Sequence, residues 1–249
     1  HLAQRRRLDG RRDVRIHRFG CGENRHPHLG ARLQRAQPDL CRRHPAVALQ
    51  LRIRIPDEES IRSQVHSVIK ENPYPIGRLR ICIGASGLVV THDDYLELTE
   101  GGYLTFSPHT SKAKGEQYKS YPYDEHYEIV DEARAHGFDD AIIFNSANNV
   151  TETGLSNIAF LIDGMWVTPP ITAGILPGVM RAIAVERCGV QVRNIHITEV
   201  PLAQEIVLLG SLKIAQPVVQ VGEMRLANGA EATALAAQMR EKVEYFSVG

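Results

Sequence analysis

The sequence predicts an α+β fold with a mixed, mainly antiparallel sheet. Short apolar runs separated by Gly, Asn and Asp turns recur through the middle of the chain, which is typical of hairpins. Helical spacing of apolar residues flanks these runs on both sides. The 249 residues are 43% hydrophobic and carry a formal net charge of +0, which suits a protein with a sizeable core. No apolar run reaches the length of a membrane span.

The first predicted elements are a helix and a group of short strands. Residues 57–71 place apolar side chains at helical spacing, with Asp57 or Ser60 as the N-cap, and the prolines that follow end the helix. Residues 78–84 alternate between apolar and polar side chains in the manner of a strand and lead into a glycine turn. Two further strands are predicted at 88–91 and 103–106.

The second half of the chain alternates helices with strands. A helix over 123–136 ends at Gly137, because glycine readily adopts the left-handed backbone that follows a helix. Residues 141–144 form a buried strand, and an Asn-rich turn leads from it into 150–152. The remaining predicted elements are a hairpin over 158–168, a helix over 178–188, strands at 191–197, 205–209 and 218–221, and a closing helix over 230–244.

The charge of the chain is unevenly distributed. Residues 1–54 contain fourteen Arg, no Lys and four acids, a net charge of +10, so the rest of the chain carries −10. A basic arm for nucleic acid and a solvated tail are two interpretations of this segment. We favour a third, a stretch outside the native reading frame, because Arg, His, Pro and Ala without Lys is typical of GC-rich DNA read out of frame. The coding DNA around the codon for Pro56 tests this.

The four cysteines are scattered and predict neither a metal site nor a disulfide framework, so a reducing cytoplasm is the expected compartment. No apolar stretch of the signal-peptide kind stands at the start of the sequence.

Lys119 is the candidate nucleophile. A lysine with this role must lose its proton near neutral pH, so it needs burial or a positive neighbour. Tyr118, Tyr121 and Tyr123 stand close to it in the sequence, and their rings can exclude water. The lysines of the polar loop 111–116 look solvated. A surface lysine is the alternative interpretation of Lys119.

Two further features complete a candidate site. Glu152 follows a predicted strand, where a carboxylate can keep a pyridine nitrogen protonated and so make the ring an electron sink; a surface glutamate is the alternative. Gly178 opens a helix whose first amides, at Val179 and Met180, favour an anion such as phosphate. Ser211 adds a hydroxyl after an apolar strand. A plain helix start and an ordinary strand-end turn are the alternatives for these last residues.

These residues stand in motifs that resemble one family. GFDDAIIFN, VTETGLSNIAF, WVTPP, GILPGVMR and GSLKIAQPV are similar to stretches of the class IV aminotransferases, the fold type IV pyridoxal phosphate (PLP) enzymes. The resemblance implies that Lys119 bonds to the cofactor and shuttles the proton, and that Glu152 binds the pyridine nitrogen. It also implies that the phosphate is held by Gly178, the amides of Val179 and Met180, and Ser211, and that Leu176 packs against the ring.

The chain departs from the family pattern at two places. Met180 stands where many members have Thr, so one hydroxyl contact to the phosphate is absent. The family also has a phosphate-binding Arg in its N-terminal part. Here the segment 28–33 is only a distorted version of that motif, and we do not assign the role to its Arg32.

The resemblance implies a small N-terminal domain, altered or incomplete here, and a larger cofactor-binding domain. We expect an Arg-rich segment at 1–54, the small-domain remainder at 55–110 and the large domain at 111–249. A homodimer acting on a small amine or amino acid is expected.

Among the family's activities we favour 4-amino-4-deoxychorismate lyase, because GRLRI before a short glycine turn and GILPGVMR look like its lyase members. The turn Gly84-Ala85-Ser86-Gly87 also lacks the Arg-x-His carboxylate trap that is usual in the D-amino acid enzymes. A branched-chain or D-amino acid aminotransferase is the alternative. A non-catalytic remnant and a nucleic-acid binder are further alternatives.

Overall fold

The computed structural model describes residues 13–20, 32–34, 54–74, 76–84, 87–96, 98, 100–112, 119–121, 123–226, 229–242 and 245–247. Among these residues, no helix is both long enough and apolar enough to cross a membrane.

A small antiparallel sheet and one helix form the first layer. Its strands run in the order β4-β3-β1-β6. Helix α1 (Glu58–Glu71) packs on this sheet through Val65 and Ile69, which contact Leu79 and Ile81. The strands are β1 (Asp13–Gly20), β3 (Gly77–Gly84), β4 (Gly87–Asp94) and β6 (Ser120–Tyr121).

A larger mixed sheet of nine strands forms the body of the molecule. Its order is β11-β10-β9-β12-β13-β5-β7-β8, and β14 pairs with β13. The pairs β5–β7, β5–β13 and β10–β11 are parallel, and the others are antiparallel. The strands are β5 (Gly102–Ser111), β7 (Asp140–Asn145), β8 (Val150–Thr153), β9 (Asn157–Ile162), β10 (Met165–Thr168), β11 (Gln191–Val192), β12 (Glu205–Gly210), β13 (Ile214–Val221) and β14 (Met224–Arg225). A separate short pair joins β2 (Arg32–Gln34) to β15 (Tyr245–Ser247).

Three helices pack against the larger sheet: α2 (Asp124–Ala135), α3 (Val179–Arg187) and α4 (Ala230–Lys242). Phe160 and Leu208 lie in the core on one side of the sheet. The other side, made by β9, β12 and β13, packs against α3 and α4 through residues such as Met180 and Leu235. The structure is therefore α+β with a mixed sheet, as predicted.

The predicted helices agree with the observed ones to within a few residues. Asp57, rather than Ser60, caps α1, because its carboxylate accepts a hydrogen bond from the Ser60 N–H at 2.8 Å. One prediction is wrong. Residues 191–197 are not a single strand, since β11 ends at Val192 and a 3-10 helix (Ile197–Leu202) begins with a capping box between His196 and Glu199.

The chain crosses between the two sheets twice. β5 lies inside the larger sheet, between β13 and β7, although the sequence analysis placed most of it in the small domain. β6 then returns to the edge of the small sheet before α2 begins. The proposed domain limits at 54 and 110 stay predictions, and this crossing makes Lys119 part of the connection between the sheets.

Candidate active site

A cavity of about 460 Å³ lies beside the larger sheet. The ends of β8 and β12, the start of α3 and the connection that contains Lys119 contribute to its wall. The structure brings together all seven residues that the sequence analysis selected, which are Lys119, Glu152, Leu176, Gly178, Val179, Met180 and Ser211. Their individual roles stay predictions.

Glu152 is a buried carboxyl with a fixed orientation. It lies on β8 and is only 5% exposed. Its Oε2 atom accepts a hydrogen bond from the Leu176 N–H at 3.1 Å and one from Asn157 Nδ2 at 3.0 Å. Burial raises the pKa of Glu152 to about 8, and the Leu176 N–H and the charge of Lys119 oppose this rise. At neutral pH the carboxyl therefore carries a proton that a basic ring nitrogen can take up.

Asn157 connects the acid to the segment before α3. Its Nδ2 atom also donates to the Leu176 carbonyl at 2.9 Å. A Cβ atom at Gly178 would collide with Oδ1 of Asn157. Glycine at 178 therefore makes room for this carboxamide, and the close approach of an anion expected there from the sequence stays a prediction. Gly178 is the N-cap residue of α3, and no side chain caps this helix, which begins at Val179 beside the cavity.

Lys119 is half-buried and lines the cavity next to an aromatic ring. Its Nζ atom lies 5.1 Å from the centroid of the Tyr123 ring, within the range of a cation–π contact. Lys112 is exposed, as the sequence analysis expected. Tyr118 and the side chain of Tyr121, both expected near Lys119, lie outside the described residues.

His126 is a neighbour of Lys119 that the sequence analysis missed. Its ring stacks on Tyr123 with centroids 4.0 Å apart. Burial and the nearby charge of Lys119 lower the pKa of His126 to about 4, so the ring is neutral at physiological pH. Its buried Nδ1 atom has no hydrogen-bond partner among the described residues. The first turn of α2 thus covers one side of Lys119 with aromatic and neutral groups.

Asp140 is the second residue that the sequence analysis did not select. Its buried carboxylate, at the start of β7, accepts hydrogen bonds from its neighbour in the strand and from the turn after Glu152. The four donors are the N–H groups of Ala141 (2.8 Å), Gly154 (2.8 Å) and Leu155 (3.2 Å) and the Thr153 hydroxyl (2.8 Å). Asp140 therefore holds the loop that follows β8. An acid at the start of an otherwise apolar strand was the signal available in the sequence.

Ser211 lies in the loop of the hairpin between β12 and β13 and lines the cavity. The turn is closed by a hydrogen bond from the Lys213 N–H to the Gly210 carbonyl at 2.9 Å, and the Tyr95 hydroxyl donates to the Leu212 carbonyl at 2.9 Å. Ile214 follows with a φ of 58°. This left-handed conformation suits glycine, and for a β-branched residue it costs roughly 1 to 3 kcal/mol.

The donor set of the cavity fits one kind of molecule. An amine, a buried acid that carries a proton, and a helix start without a side-chain cap match an aldehyde, a ring nitrogen and a phosphate. Pyridoxal phosphate combines these three groups.

Comparison with known proteins identifies the class. The family model for amino-transferase class IV matches residues 45–221, well over half of the chain. The chain therefore belongs to the class IV aminotransferases, a family of pyridoxal phosphate enzymes, as the motifs predicted.

Curated relatives and solved structures extend the comparison. The branched-chain-amino-acid aminotransferase of Escherichia coli is 31% identical over 107 residues, which is 39% of this chain and 35% of the relative. The match thus spans about a third of that relative's length.

Among solved structures, the branched-chain amino acid aminotransferase of Thermobaculum terrenum in its PLP form has a TM-score of 0.81 at 21% identity, covering 95% of this chain and 89% of its own. A Legionella pneumophila protein, whose assignment as a 4-amino-4-deoxychorismate lyase is itself a proposal, has a TM-score of 0.78 at 20% identity, covering 92% and 90%. These likenesses confirm the predicted fold.

Parts of the predicted site lie beyond these observations. Most of the segment 1–54, including 28–31 and the side chain of Arg32, lies outside the described residues. The interpretations of this segment therefore stay predictions.

Proposed function

We propose that this chain is a PLP-dependent enzyme that removes the proton from the amine-bearing carbon of its substrate, with Lys119 as the base. One observation carries the proposal: Lys119, Glu152 and the start of α3 line the same cavity. None of the three features is informative alone. Together they supply the covalent amine, the acid and the anion site that this chemistry requires.

The residues that line the cavity have separate roles in cofactor binding and proton transfer. Bound PLP supplies an aldehyde that bonds to amines and a ring that accepts electrons from the substrate carbon. Glu152 would hold the ring nitrogen, and its raised pKa keeps a proton at this carboxyl at neutral pH. The amides at the start of α3 and the Ser211 hydroxyl orient the phosphate. Lys119, in its uncharged amine form, would take up the proton at the substrate carbon, and the Tyr123 ring, whose centroid lies 5.1 Å from Nζ, shields one side of this amine.

We further propose that the substrate is 4-amino-4-deoxychorismate and that the products are pyruvate and 4-aminobenzoate. The structural likeness to the Legionella protein over nearly the whole length of both chains supports this choice. The short connection between β3 and β4, whose flanking residues Gly84 and Gly87 are paired, also supports it. The two residues between these glycines, Ala85 and Ser86, offer no cation to a substrate carboxylate.

Transamination of a branched-chain amino acid is the second candidate. The observation that favours it is the 31% identity over 107 residues to the branched-chain-amino-acid aminotransferase of Escherichia coli. Both reactions begin with the same proton transfer, so Lys119 and Glu152 serve either one. They differ in whether the pyruvyl group leaves or a keto acid is released.

A product assay separates the two candidates. The purified protein with PLP is given 4-amino-4-deoxychorismate, and pyruvate release is measured beside keto-acid release from a panel of amino acids. We expect pyruvate release, and keto-acid release without pyruvate release would favour the aminotransferase. The Lys119→Ala variant should lose either activity by about 10³-fold or more, whereas Lys112→Ala, which changes an exposed lysine, should keep it.

Two results would refute the enzyme proposal itself. One is full turnover by Lys119→Ala. The other is a wild-type protein that shows no visible absorption band with PLP and no band that borohydride bleaches, which would favour a non-catalytic remnant. The homodimer expected from the family and the cytoplasmic location expected from the scattered cysteines belong to the proposal as well, and light scattering on the purified protein tests the first.

A further inference from the structure

Among the described residues, the groups proposed so far for the phosphate site are neutral donors, and a phosphate also calls for a positive charge. The amides at the start of α3 and the Ser211 hydroxyl can donate hydrogen bonds, but a phosphate near neutral pH carries close to two negative charges. Charged donors make stronger hydrogen bonds to such a group than neutral ones do. The cation should therefore line the same cavity.

Among the described residues that line the cavity, three are cationic: Lys119, Arg134 and Lys213. Lys119 is committed to the covalent bond in the proposed function. Arg134, near the end of α2, is exposed. Lys213 is half-buried and belongs to the same hairpin loop as Ser211, two residues further along the chain.

Lys213 has no partner of its own in the described part of the chain. It makes no hydrogen bond through its side chain and no ion pair there. Burial lowers the pKa of Lys213, while the nearby charges of Asp140 and Asp139 oppose the loss of its proton. An ammonium group that is partly buried without an ion-pair partner is stabilised when an anion enters the cavity and pairs with it.

The two neighbouring acids are occupied by other donors. Asp140 accepts four hydrogen bonds from the strand and loop around it, and Asp139 accepts one from the Tyr103 N–H at 2.8 Å. Their negative charges favour the protonated form of Lys213, against the larger effect of burial on its pKa, without forming an ion pair with it. Arg134 is the other charged group that acts on Lys213.

The backbone around Lys213 is unusual for a simple connection. Ile214, the first residue of β13 after the three-residue loop 211–213, has a left-handed conformation, and the Tyr95 hydroxyl donates a hydrogen bond to the Leu212 carbonyl of that loop. Strained backbone that persists in this way is often found at ligand sites. Here it fixes the direction in which the chain leaves Lys213.

We propose that Lys213 is the cationic contact for the phosphate of the cofactor, and that it completes the neutral donors of α3 and Ser211. This proposal rests on the proposed function, because it assumes that the phosphate lies at the start of α3. It assigns to the C-terminal part of the chain a charge that the family otherwise supplies from the N-terminal part.

The test compares a ligand that has the phosphate with one that lacks it. Wild-type protein, Lys213→Met and Lys213→Arg are titrated with PLP and with pyridoxal, and dissociation constants are obtained from the visible band and from the fluorescence of the one tryptophan. Lys213→Met should weaken PLP binding about 10- to 100-fold, as expected for one charge-assisted contact. Its affinity for pyridoxal should change less than about threefold.

Two further variants serve as controls. Lys213→Arg keeps the charge and should retain most of the preference for PLP. Arg134→Met removes the exposed cation of the same cavity and should leave the preference unchanged.

A second readout needs no cofactor chemistry: inorganic phosphate should raise the melting temperature of wild-type protein more than that of Lys213→Met.

The possible failures are distinguishable. If Lys213→Met weakens PLP and pyridoxal equally, or leaves PLP binding unchanged, Lys213 does not contact the phosphate, although the wild-type protein still binds the cofactor. If the wild-type protein binds neither ligand, the proposed function fails together with this assignment. If Lys213→Met does not fold, Lys213→Gln is titrated in its place, and an unchanged preference for PLP in that variant would overturn the proposal.

Discussion

Glu152 and Lys213 line the same cavity, but the chain holds them in different ways. Two donors fix one oxygen of Glu152, and strand β8 places the residue in the core. Lys213 lies on a strained hairpin loop and has no hydrogen bond or ion pair through its side chain within the described part of the chain. The carboxyl of Glu152 is oriented by hydrogen bonds before any ligand binds, whereas the ammonium group of Lys213 has a place in the cavity wall but no hydrogen-bond partner within the described part of the chain.

This difference indicates how substitutions at the two residues should affect turnover and cofactor affinity. An oriented acid serves a reaction in which the position of a proton matters, because small displacements reduce the rate of proton transfer strongly. A cation on a flexible stem serves as a point charge that binds an anion at several angles. We therefore expect substitutions at Glu152 to reduce turnover and substitutions at Lys213 to reduce cofactor affinity.

The largest effect is expected for Glu152→Gln. The amide keeps the shape and can still accept from Leu176, but it cannot supply a proton to a ring nitrogen or balance its charge. We expect kcat to fall about 10³-fold, with a much smaller change in KM. Steady-state kinetics in saturating PLP measure this effect.

Glu205→Gln is the matched control for that experiment. Glu205 is also buried, and it accepts a hydrogen bond from the Ala232 N–H at 2.6 Å at the start of α4. Among the described residues it is not part of the cavity wall. Its substitution should lower stability and leave kcat within about threefold. A Glu152→Gln enzyme with near wild-type kcat would remove the proposed distinction between the two groups.

The next effect concerns Asp140, whose carboxylate lies near both groups. Asp140→Ala leaves four donors without their acceptor, so we expect the free energy of unfolding to fall by roughly 3 kcal/mol. Asp140→Asn should cost less, because one acceptor oxygen remains. Asp139→Ala removes an exposed neighbour and should cost under about 1 kcal/mol. Urea unfolding of the cofactor-free proteins measures all three, and equal losses for Asp139 and Asp140 would contradict the role given to Asp140.

A pH experiment tests the burial of Glu152 directly. Folding raises the pKa of this carboxyl from 4.5 to about 8, so between these values the folded chain binds more protons than the unfolded chain. Stability therefore decreases as pH rises through this window. His126 acts in the opposite direction between about 4 and 6.5, since folding lowers its pKa.

The difference between wild-type protein and Glu152→Gln cancels the contribution of His126 and isolates Glu152. Between pH 6.5 and 8 we expect the cofactor-free wild-type chain to lose about 2 kcal/mol relative to Glu152→Gln. Denaturant unfolding at several pH values gives this difference. A constant difference over the window would mean that the carboxyl is solvated rather than buried.

Local sequence patterns were sufficient for most elements of the fold. Helix α1, the hairpin of β9 with β10 and helix α3 depend on periodicity, caps and turns that neighbouring residues provide. The wrong strand at 191–197 had a usable signal against it, because His196 and Glu199 have the spacing of a capping box. The candidate site could be selected from short motifs, and all seven selected residues line one cavity.

The supporting residues of the site could not be predicted in the same way. Asp140 reaches Gly154 fourteen residues away, and Asn157 reaches Leu176 nineteen residues away, so their roles depend on how distant segments meet. The sequence analysis did not select Lys213, because its burial and its lack of a partner in the described part of the chain are properties of the folded chain. No local pattern contains such information.

The smallest expected effect tests how the orientation of Glu152 is maintained. Gly178 has φ −72° and ψ 145°, which alanine adopts without strain, so Gly178→Ala acts only through the collision of its methyl group with Asn157. The Asn157 carboxamide must turn away and lose its hydrogen bonds to Glu152 and the Leu176 carbonyl, which should cost about 1 kcal/mol. In an Asn157→Ala background the same methyl group has nothing to collide with, so the second substitution should cost almost nothing. Gly210→Ala, where the nearest atom is Ser156 Oγ at 3.7 Å, controls for alanine at another glycine of the cavity wall. Additive losses in the double variant would mean that Gly178 acts on the backbone of α3, and that Glu152 keeps its orientation without Asn157.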